Sequence, residues 1–343
     1  MSSKRSLGPP LLVAPPHRSL PLRFGSVAQP SAGTASLGLL VALLLSGCEL
    51  FGGGGGGGGT GGGGGSTFLF DKGFTFTRRD DRNVYVVDDA DVQTTSALTQ
   101  SGNVRTPSFS KDGRSIVFVR GTSTDSEIAI VPAAGGIVKT VVSTSAQQRN
   151  FKTPVFSPDG TQVAFSFEGG ASTAIGLINV DGTNARVLAT GGLAQASPAF
   201  TPDGTAVIVA AGSPGLGYTQ IERVTLATNT VTNVTNTLGD AQSIANRLVI
   251  SPDGTKAAYD GLVSSGASRI FVIDLSTKAV TMPWAGEASA NDTFPCWLSD
   301  TAVAFSSDSG GNDSIYKANL PTSTGVSLLV PKAIEPWYGV TAR

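Results

Sequence analysis

The chain alternates short apolar runs with polar turns over most of its length. Five times, at intervals of up to 50 residues, an apolar run ends at an Asp-containing turn and a second apolar run follows, in the segments that begin at Thr106, Thr153, Ser197, Arg247 and Thr293. Four of these turns are Asp-Gly, which suits a tight connection because glycine accepts a positive φ and aspartate can hydrogen-bond its own following backbone. The pattern predicts repeated β-strands and turns.

One repeat predicts four short strands. In the repeat that begins at Thr153 they are Thr153–Ser157, Gln162–Phe167, Ile175–Val180 and Arg186–Ala189. A sheet of this size cannot bury both of its faces alone, so neighbouring repeats must cover it, as the blades of a β-propeller do. In the last repeat Ser299-Asp300-Thr301 lacks the Pro and Gly of the other turns, and we expect a tighter turn there.

The two ends of the repeat region hold fragments of one further repeat. Strands predicted at Phe74–Thr77, Val84–Val87 and Ser96–Leu98 lack a first strand, whereas Glu335–Val340 is a first strand with nothing after it. Joined, they complete a sixth blade and leave no exposed sheet edge at the join. The sequence therefore predicts an all-β fold, a six-bladed β-propeller of four-stranded antiparallel blades whose ring is closed by strands from both termini.

The first 48 residues have the pattern of an export signal. Leu37–Leu45 is a nine-residue apolar run behind an acid-free stretch with Arg, too short for a membrane span of about 20 residues but typical of a signal peptide. Leu45-Ser46-Gly47-Cys48 resembles the lipobox of bacterial lipoproteins, which implies cleavage before Cys48 and its lipidation. An ordinary signal peptide with a coincidental cysteine is the alternative.

These signals predict both location and domain organisation. We expect a signal peptide over residues 1–47, a lipidated Cys48 and Gly-rich flexible tether over 48–66, and the propeller over 67–343. More than one acyl chain gives a stable membrane anchor. By analogy with the sorting of proteobacterial lipoproteins, Glu49 in place of Asp after Cys48 favours the outer membrane, with the protein facing the periplasm or the cell surface. A Gly-rich tether of this length holds the domain on the order of 20 Å from its anchor.

The charge balance excludes one class of partner. The whole chain has a formal net charge of −1, but Lys4, Arg5, Arg18 and Arg23 all precede Cys48, which leaves 20 basic against 25 acidic residues after cleavage. A mildly acidic body without basic runs lacks the positive surface that a phosphate backbone requires. We therefore expect no nucleic-acid partner.

The residues available for chemistry are few. The only His is His17, ahead of the predicted cleavage point, so the mature chain has no imidazole for a Ser-His-Asp triad or a His-containing zinc site. With Cys48 lipidated, Cys296 is alone in an apolar strand, which favours a buried, inert thiol over a nucleophile. We predict no catalytic residue, no metal site and no cofactor.

The Asp residues are explained by turns. Asp159, Asp203 and Asp253 recur at the same repeat position, and a function that needs one site would not need all three. The acidic segments 88–91 and 308–313 offer oxygen ligands for Ca²⁺, but neither has the full ligand spacing. Solvated turns are the favoured interpretation of both.

At this point the repeat resembles a known family. An S-P-D-G turn after an aromatic-bearing strand, followed by an apolar strand such as VAFSF and a third strand such as NVYVVDD, resembles the PD40 (WD40-like) repeats of the TolB β-propeller family. The resemblance covers about residues 68–343 and implies a six-bladed propeller of a periplasmic protein. It leaves the function open, because the same propeller type occurs in peptidases and polysaccharide lyases. Those peptidases carry a separate hydrolase domain with a G-x-S-x-G motif, which this chain lacks.

Polar residues precede or begin the first strand of each repeat. Loops that lead into these strands meet at one mouth of a propeller's channel, so we expect a partner-binding mouth formed by Arg105, Lys152, Gln195, Arg247, Asp292 and Glu335. Polar side chains that converge on a concave mouth suit recognition of a peptide, protein or glycan; the alternative is that they only solvate the rim. Trp297 and Trp337 are expected in the blade core.

Together these observations predict a non-enzymatic, membrane-anchored β-propeller lipoprotein of the bacterial cell envelope. Its expected role is a scaffold for protein–protein interaction, with an unidentified envelope protein, peptide or glycan as partner. The alternative is a carbohydrate-binding or polysaccharide-lyase-type propeller, which would use Lys, Arg or Tyr as its base and a metal to neutralise a uronate.

Overall fold

The structure, a computed structural model, describes residues 72–340. The predicted signal peptide, Cys48 and the Gly-rich tether lie outside the described residues. The 24 described strands form six four-stranded antiparallel sheets, which confirms the predicted six-bladed propeller. Residues 72–340 contain no helix of the length and hydropathy needed to cross a membrane.

The first blade contains both ends of the described chain. Blade 1 consists of β1 (Lys72–Thr77), β2 (Val84–Asp88), β3 (Asp91–Ala97) and β24 (Ile334–Val340). Strand β24 is the innermost and pairs with β1, with Phe74 opposite Tyr338 and Thr75 opposite Trp337. The predicted closure of the ring by strands from both ends is therefore what the structure shows.

The other five blades follow one another along the chain, each beginning with its innermost strand. Blade 2 has β4 (Val104–Phe109), β5 (Ser115–Gly121), β6 (Ser126–Pro132) and β7 (Lys139–Ser143). Blade 3 has β8 (Arg149–Phe156), β9 (Gln162–Gly169), β10 (Ser172–Asn179) and β11 (Arg186–Val187). Blade 4 has β12 (Ala194–Phe200), β13 (Ala206–Gly212), β14 (Gln220–Thr225) and β15 (Thr230–Thr235). Blade 5 has β16 (Ser243–Ile250), β17 (Lys256–Leu262), β18 (Ser268–Asp274) and β19 (Val280–Thr281). Blade 6 has β20 (Asp292–Ser299), β21 (Ala302–Ser307), β22 (Ser314–Asn319) and β23 (Ser327–Pro331).

The hydrophobic core is divided among the junctions between blades. Six buried clusters each combine side chains of two adjacent blades, such as Val155 and Ile175 of blade 3 with Val207 and Val224 of blade 4. The sixth cluster joins blade 6 to blade 1 through Cys296 and Phe74. Every blade thus depends on both neighbours for its burial, as the sequence pattern predicts.

The turns between the first and second strands of the repeats form as their sequences predict. In the turn of blade 3 the Ser157 hydroxyl donates to Asp159 Oδ1 at 2.5 Å, and the Asp accepts the Thr161 N–H at 3.0 Å. Asp300 and Thr301 form a two-residue turn between the paired residues Ser299 and Ala302. The tighter turn predicted for the last repeat is confirmed.

Candidate binding face at the channel mouth

Each innermost strand breaks its pairing at a bulge close to the channel mouth. In five of the six strands, all within residues 72–340, the bulge begins with a non-glycine residue at positive φ and a proline follows. A positive φ in such residues costs about 1–3 kcal/mol and persists only where the surroundings impose it. The five residues are Thr106, Thr153, Ser197, Phe294 and Glu335.

Side-chain oxygens of one blade hold the bulge of the next blade in place. At five of the blade junctions, a hydroxyl or carboxylate accepts a backbone N–H from the adjacent blade's bulge. The pairs are Glu335 Oε2 with Thr106 N at 2.7 Å, Thr106 Oγ1 with Thr153 N at 3.3 Å, Ser197 Oγ with Leu248 N at 2.7 Å, Asp260 Oδ2 with Phe294 N at 3.2 Å, and Ser306 Oγ with Glu335 N at 3.0 Å.

Glu335 links three blades at the point where the ring closes. Its carboxylate is buried and accepts hydrogen bonds from the Thr77 hydroxyl at 2.8 Å and from the Thr106 N–H, while its own N–H donates to Ser306. Its other oxygen lies 3.9 Å from Arg82 Nη1. The structure therefore gives Glu335 a structural role at the closure, with little surface for a partner.

Arg247 and Trp337 close the channel. The Trp337 side chain packs against three core clusters at separate blade junctions, so it lies at the channel axis and not within one blade. The buried Arg247 guanidinium lies 5.4 Å from the Trp337 ring and 5.2 Å from the Phe294 ring, and it donates to the Pro336 carbonyl at 2.5 Å. The cavity left there measures about 10 Å³, about the size of one water probe. The channel is therefore closed at this mouth.

Asp260 is the mouth residue that sequence reasoning missed. It is fully buried on β17, and its carboxylate accepts the N–H groups of Asn246 (3.0 Å), Arg247 (2.7 Å) and Phe294, together with the Asn246 side-chain amide (2.7 Å). Burial raises the pKa of Asp260, and these donors oppose the shift. The available signal was an acidic residue inside the apolar run KAAYDG.

Two of the predicted mouth residues keep accessible side chains. Arg105 is half-buried and donates to the carbonyls of Gly121 (2.5 Å), Thr122 (3.3 Å) and Phe151 (3.4 Å), and burial lowers its pKa. The Lys152 side chain is 51% exposed, with its Nζ 3.9 Å from Glu168 Oε1. Of the two, Lys152 offers a partner more surface.

Two others, Gln195 and Asp292, are buried. Gln195 donates to Glu222 Oε2 at 2.9 Å, and its Oε1 has no hydrogen-bond partner among the described residues. Asp292 lies beside Ser307 and Arg269, yet neither carboxylate oxygen meets hydrogen-bond geometry with a donor of the described residues. Burial raises the pKa of Asp292. The structure therefore does not bring all six predicted residues to one accessible surface.

The Cys296 thiol and the carboxylates of the two acidic segments have structural roles. Cys296 is buried in the junction of blades 6 and 1, and burial raises the pKa of its thiol to about 12. Asp88 accepts the Ala90 N–H at 2.8 Å within its own turn, whereas Asp308 accepts the Asn291 N–H at 2.6 Å from the segment that precedes β20. Within residues 72–340, no three His, Cys, Asp or Glu side chains are grouped closely enough to share a metal ion.

The family can be assigned from its repeat. The profile described as TolB beta propeller domain matches residues 72–245, which is half of the chain. The chain belongs to this family. The match begins at the first described strand and ends in blade 5, so it includes the mouth bulges of blades 2, 3 and 4.

Several solved structures share the fold at low sequence identity. TolB from Acinetobacter baumannii is 17% identical, with a TM-score of 0.64 over 80% of this chain and 67% of that one. A putative TolB from Agrobacterium tumefaciens is 15% identical, with a TM-score of 0.55 over 80% and 91%. An oligogalacturonate lyase from Vibrio parahaemolyticus is 18% identical, with a TM-score of 0.50 over 74% and 79%. No curated protein matches the chain. Likenesses at this identity show the fold alone.

Proposed function

We propose that this protein is a non-enzymatic, lipid-anchored β-propeller of the bacterial cell envelope that acts as a scaffold for protein–protein interaction. Cys48 is the proposed lipidation site and the Gly-rich segment the tether, with the anchor in the outer membrane. Membership of the TolB propeller family supports an envelope location, and the lipobox-like sequence supports the anchor.

Because the channel mouth is closed, we infer that the partner docks on the face of the propeller around it. Because Arg247 and Trp337 fill the channel, a chain cannot pass through it, and binding must use the rim. The rim carries basic side chains with about half of their surface exposed: Arg82 at 43%, Arg149 at 57% and Lys152 at 51%. Each lies within 4 Å of a carboxylate that restricts its position, so the rim suits a partner with acidic groups.

Capture from the native envelope tests this role. The full chain is immobilised and incubated with detergent-solubilised envelope of its own cells, beside the variants Lys152→Glu and Lys111→Glu. Both substitutions reverse one exposed charge, but Lys111 lies in the turn at the opposite end of blade 2. We expect a protein that the wild type and K111E retain and K152E loses. Equal retention by all three proteins would remove the rim from the proposal, and retention of acidic polysaccharide instead of protein would favour the carbohydrate-active alternative.

The anchor is tested separately. Replacing Cys48 with Ser is expected to abolish incorporation of a labelled fatty acid and to move the protein from the membrane to the soluble fraction. A C48S variant that remains with the membrane and takes up label would contradict the anchor, whereas the docking proposal would stand.

A further inference from the structure

A second concave site lies on the mouth face, between blades 3 and 4. The β9–β10 connection of blade 3 is a two-residue turn, Gly170-Ala171, while the β13–β14 connection of blade 4 is longer and stands beside it. The unequal connections leave a cavity of about 400 Å³. That volume falls within the range of about 300–1,000 Å³ typical of small-ligand sites.

The β13–β14 connection, which forms the longer wall of the cavity, contains a hydrogen-bonded β-turn. Ser213-Pro214-Gly215-Leu216 is closed by a hydrogen bond from Leu216 N–H to the Ser213 carbonyl at 3.0 Å, with Gly215 at a φ of +81°. Proline before a glycine of positive φ is the sequence of a type II turn. The Leu216 side chain is 77% exposed in this turn. The wall is therefore preorganised and presents apolar surface beside the cavity.

The lining is rich in hydroxyl groups and carries one charge. Ser172, Thr173, Ser213 and Tyr218 supply hydroxyls, and Thr173 Oγ1 lies 3.0 Å from the Tyr218 hydroxyl across the two blades. Glu168 is the only ionisable side chain of the lining with a charge at neutral pH. Each hydroxyl both donates and accepts, so the cavity can match a ligand that carries several hydroxyl groups.

Glu168 is held from the side of the channel mouth. Its Oε1 accepts from Asn150 Nδ2 at 2.5 Å and lies 3.9 Å from Lys152 Nζ, while its Oε2 lies 3.7 Å from Arg149 Nε. A carboxylate has about four lone-pair sites on its two oxygens, so acceptor capacity remains. Fixed in this way, Glu168 can accept hydroxyl hydrogen bonds from a ligand without a large ordering cost.

We propose that this cavity binds a neutral saccharide. Sugar hydroxyls match the Ser, Thr and Tyr hydroxyls and the Glu168 carboxylate, and the apolar face of a sugar ring matches Pro214 and the Tyr218 ring. A phosphate or uronate is disfavoured because no cationic side chain lines the cavity, and the nearby cations Arg149 and Lys152 are already paired with Glu168. The site goes beyond the docking role and adjoins the docking surface, because Glu168 pairs with the rim residues Arg149 and Lys152.

The test measures binding of neutral disaccharides to the full chain by saturation-transfer NMR. The probes are cellobiose, maltose and N,N′-diacetylchitobiose, with digalacturonate and tetra-alanine as the acidic and peptide comparisons. Ala171→Trp places a bulky side chain at the cavity, and Ala227→Trp makes the same change in the exposed β14–β15 turn on the opposite face. Glu168→Gln keeps the shape of the side chain and removes its charge.

We expect at least one neutral disaccharide to bind saturably, A171W and E168Q to weaken it by about tenfold or more, and A227W to leave it unchanged. Equal melting temperatures of the variants exclude loss of fold as the cause. The proposal is overturned if none of the neutral disaccharides binds, if digalacturonate or tetra-alanine binds in their place, or if A171W binds as the wild type does. Because Lys152 lies beside Glu168, the saccharide site is judged by A171W, which changes no charged residue of the rim, and the docking proposal by the capture experiment.

Discussion

At the channel mouth, the first strand of blade 5 differs from those of the other five blades. Between Ile244 and Leu248 it carries three residues opposite the single residue Asp260, whereas each of the other strands carries two residues opposite one. Blade 5 has Leu248 where the others have proline. The residues opposite the bulge in the other blades are apolar: Phe76, Phe118, Phe165, Val209 and Phe305.

The difference shows two ways to hold a bulge next to a channel. In five blades a proline fixes φ after a strained residue, and an apolar side chain packs beneath. In blade 5 the buried Asp260 carboxylate accepts four N–H groups, so this bulge needs neither the proline nor the apolar side chain. The wider bulge places Arg247 in the channel, where it meets Trp337. Blade 5 therefore supplies the group that closes the mouth.

The largest loss of unfolding free energy is expected from Glu335→Ala, because the Glu335 carboxylate binds the two-residue bulge of blade 2. The change leaves the Thr77 hydroxyl and the Thr106 N–H without their acceptor, and two unpaired buried donors cost about 4 kcal/mol together. Urea unfolding of the full chain measures the loss. Glu335→Gln keeps an acceptor oxygen and should lose about half as much; a wild-type midpoint for E335A would contradict the closure role.

Asp260→Ala is expected to cost less, about 2 kcal/mol. It leaves the buried Arg247 N–H and the partly buried Phe294 N–H unpaired, but Asn246 is exposed and its donors can turn to water. Removing the carboxylate also removes the cost of burying it, which raises its pKa in the fold. The same urea series measures this variant, and a loss equal to or above that of E335A would reverse the order predicted here.

Pro154→Ala weakens an ordinary bulge and should cost about 0.5–1 kcal/mol, because alanine leaves the unfolded chain more freedom. Pro154 follows Thr153, whose φ of 46° is imposed by the bulge. Leu248→Ala is not an equivalent change, since Leu248 is buried in a core cluster. Differential scanning calorimetry measures the shift in Tm; an effect above that of D260A would show that proline contributes more to the bulge than the carboxylate.

The smallest effect concerns the Asp-Gly turns at the end of the blades opposite the channel mouth, where blade 5 resembles blade 4. Hydroxyl and backbone donors lower the pKa of Asp253 in blade 5 and Asp203 in blade 4 to about 2. A lowered pKa in the fold stabilises it above the unfolded value of 3.8, and this stabilisation is lost as the pH falls from about 4 to 2. D253N and D203N should flatten the pH dependence of the urea midpoint over this interval to the same degree, and an unaltered slope in both would contradict the shifts.

Much of the fold was predictable because it is repetitive. Asp-Gly turns recur in blades 2 to 5 and short alternating strands in every blade, so six blades and closure by Glu335–Val340 follow from local pattern. The role of the mouth residues was harder to predict because it depends on contacts between blades. Gln195 and Glu335 look like surface groups in sequence, yet both are buried, and Glu335 is hydrogen-bonded to Thr106 of the neighbouring blade. Trp337, predicted as blade core, lies at the channel axis because the bulge at Glu335 directs the closing strand inward.

The central claim is that the carboxylates of Glu335 and Asp260 join neighbouring blades at the mouth, whereas the exposed rim residue Lys152 does not hold the blades together. Hydrogen–deuterium exchange of the full chain tests it by comparing E335A, D260A and K152E with the wild type. The account predicts faster exchange around Thr106 in E335A only, faster exchange around Arg247 and Phe294 in D260A only, and no change at either place in K152E. Uniform loss of protection in all three variants, or unchanged protection at both places in E335A and D260A, would contradict it.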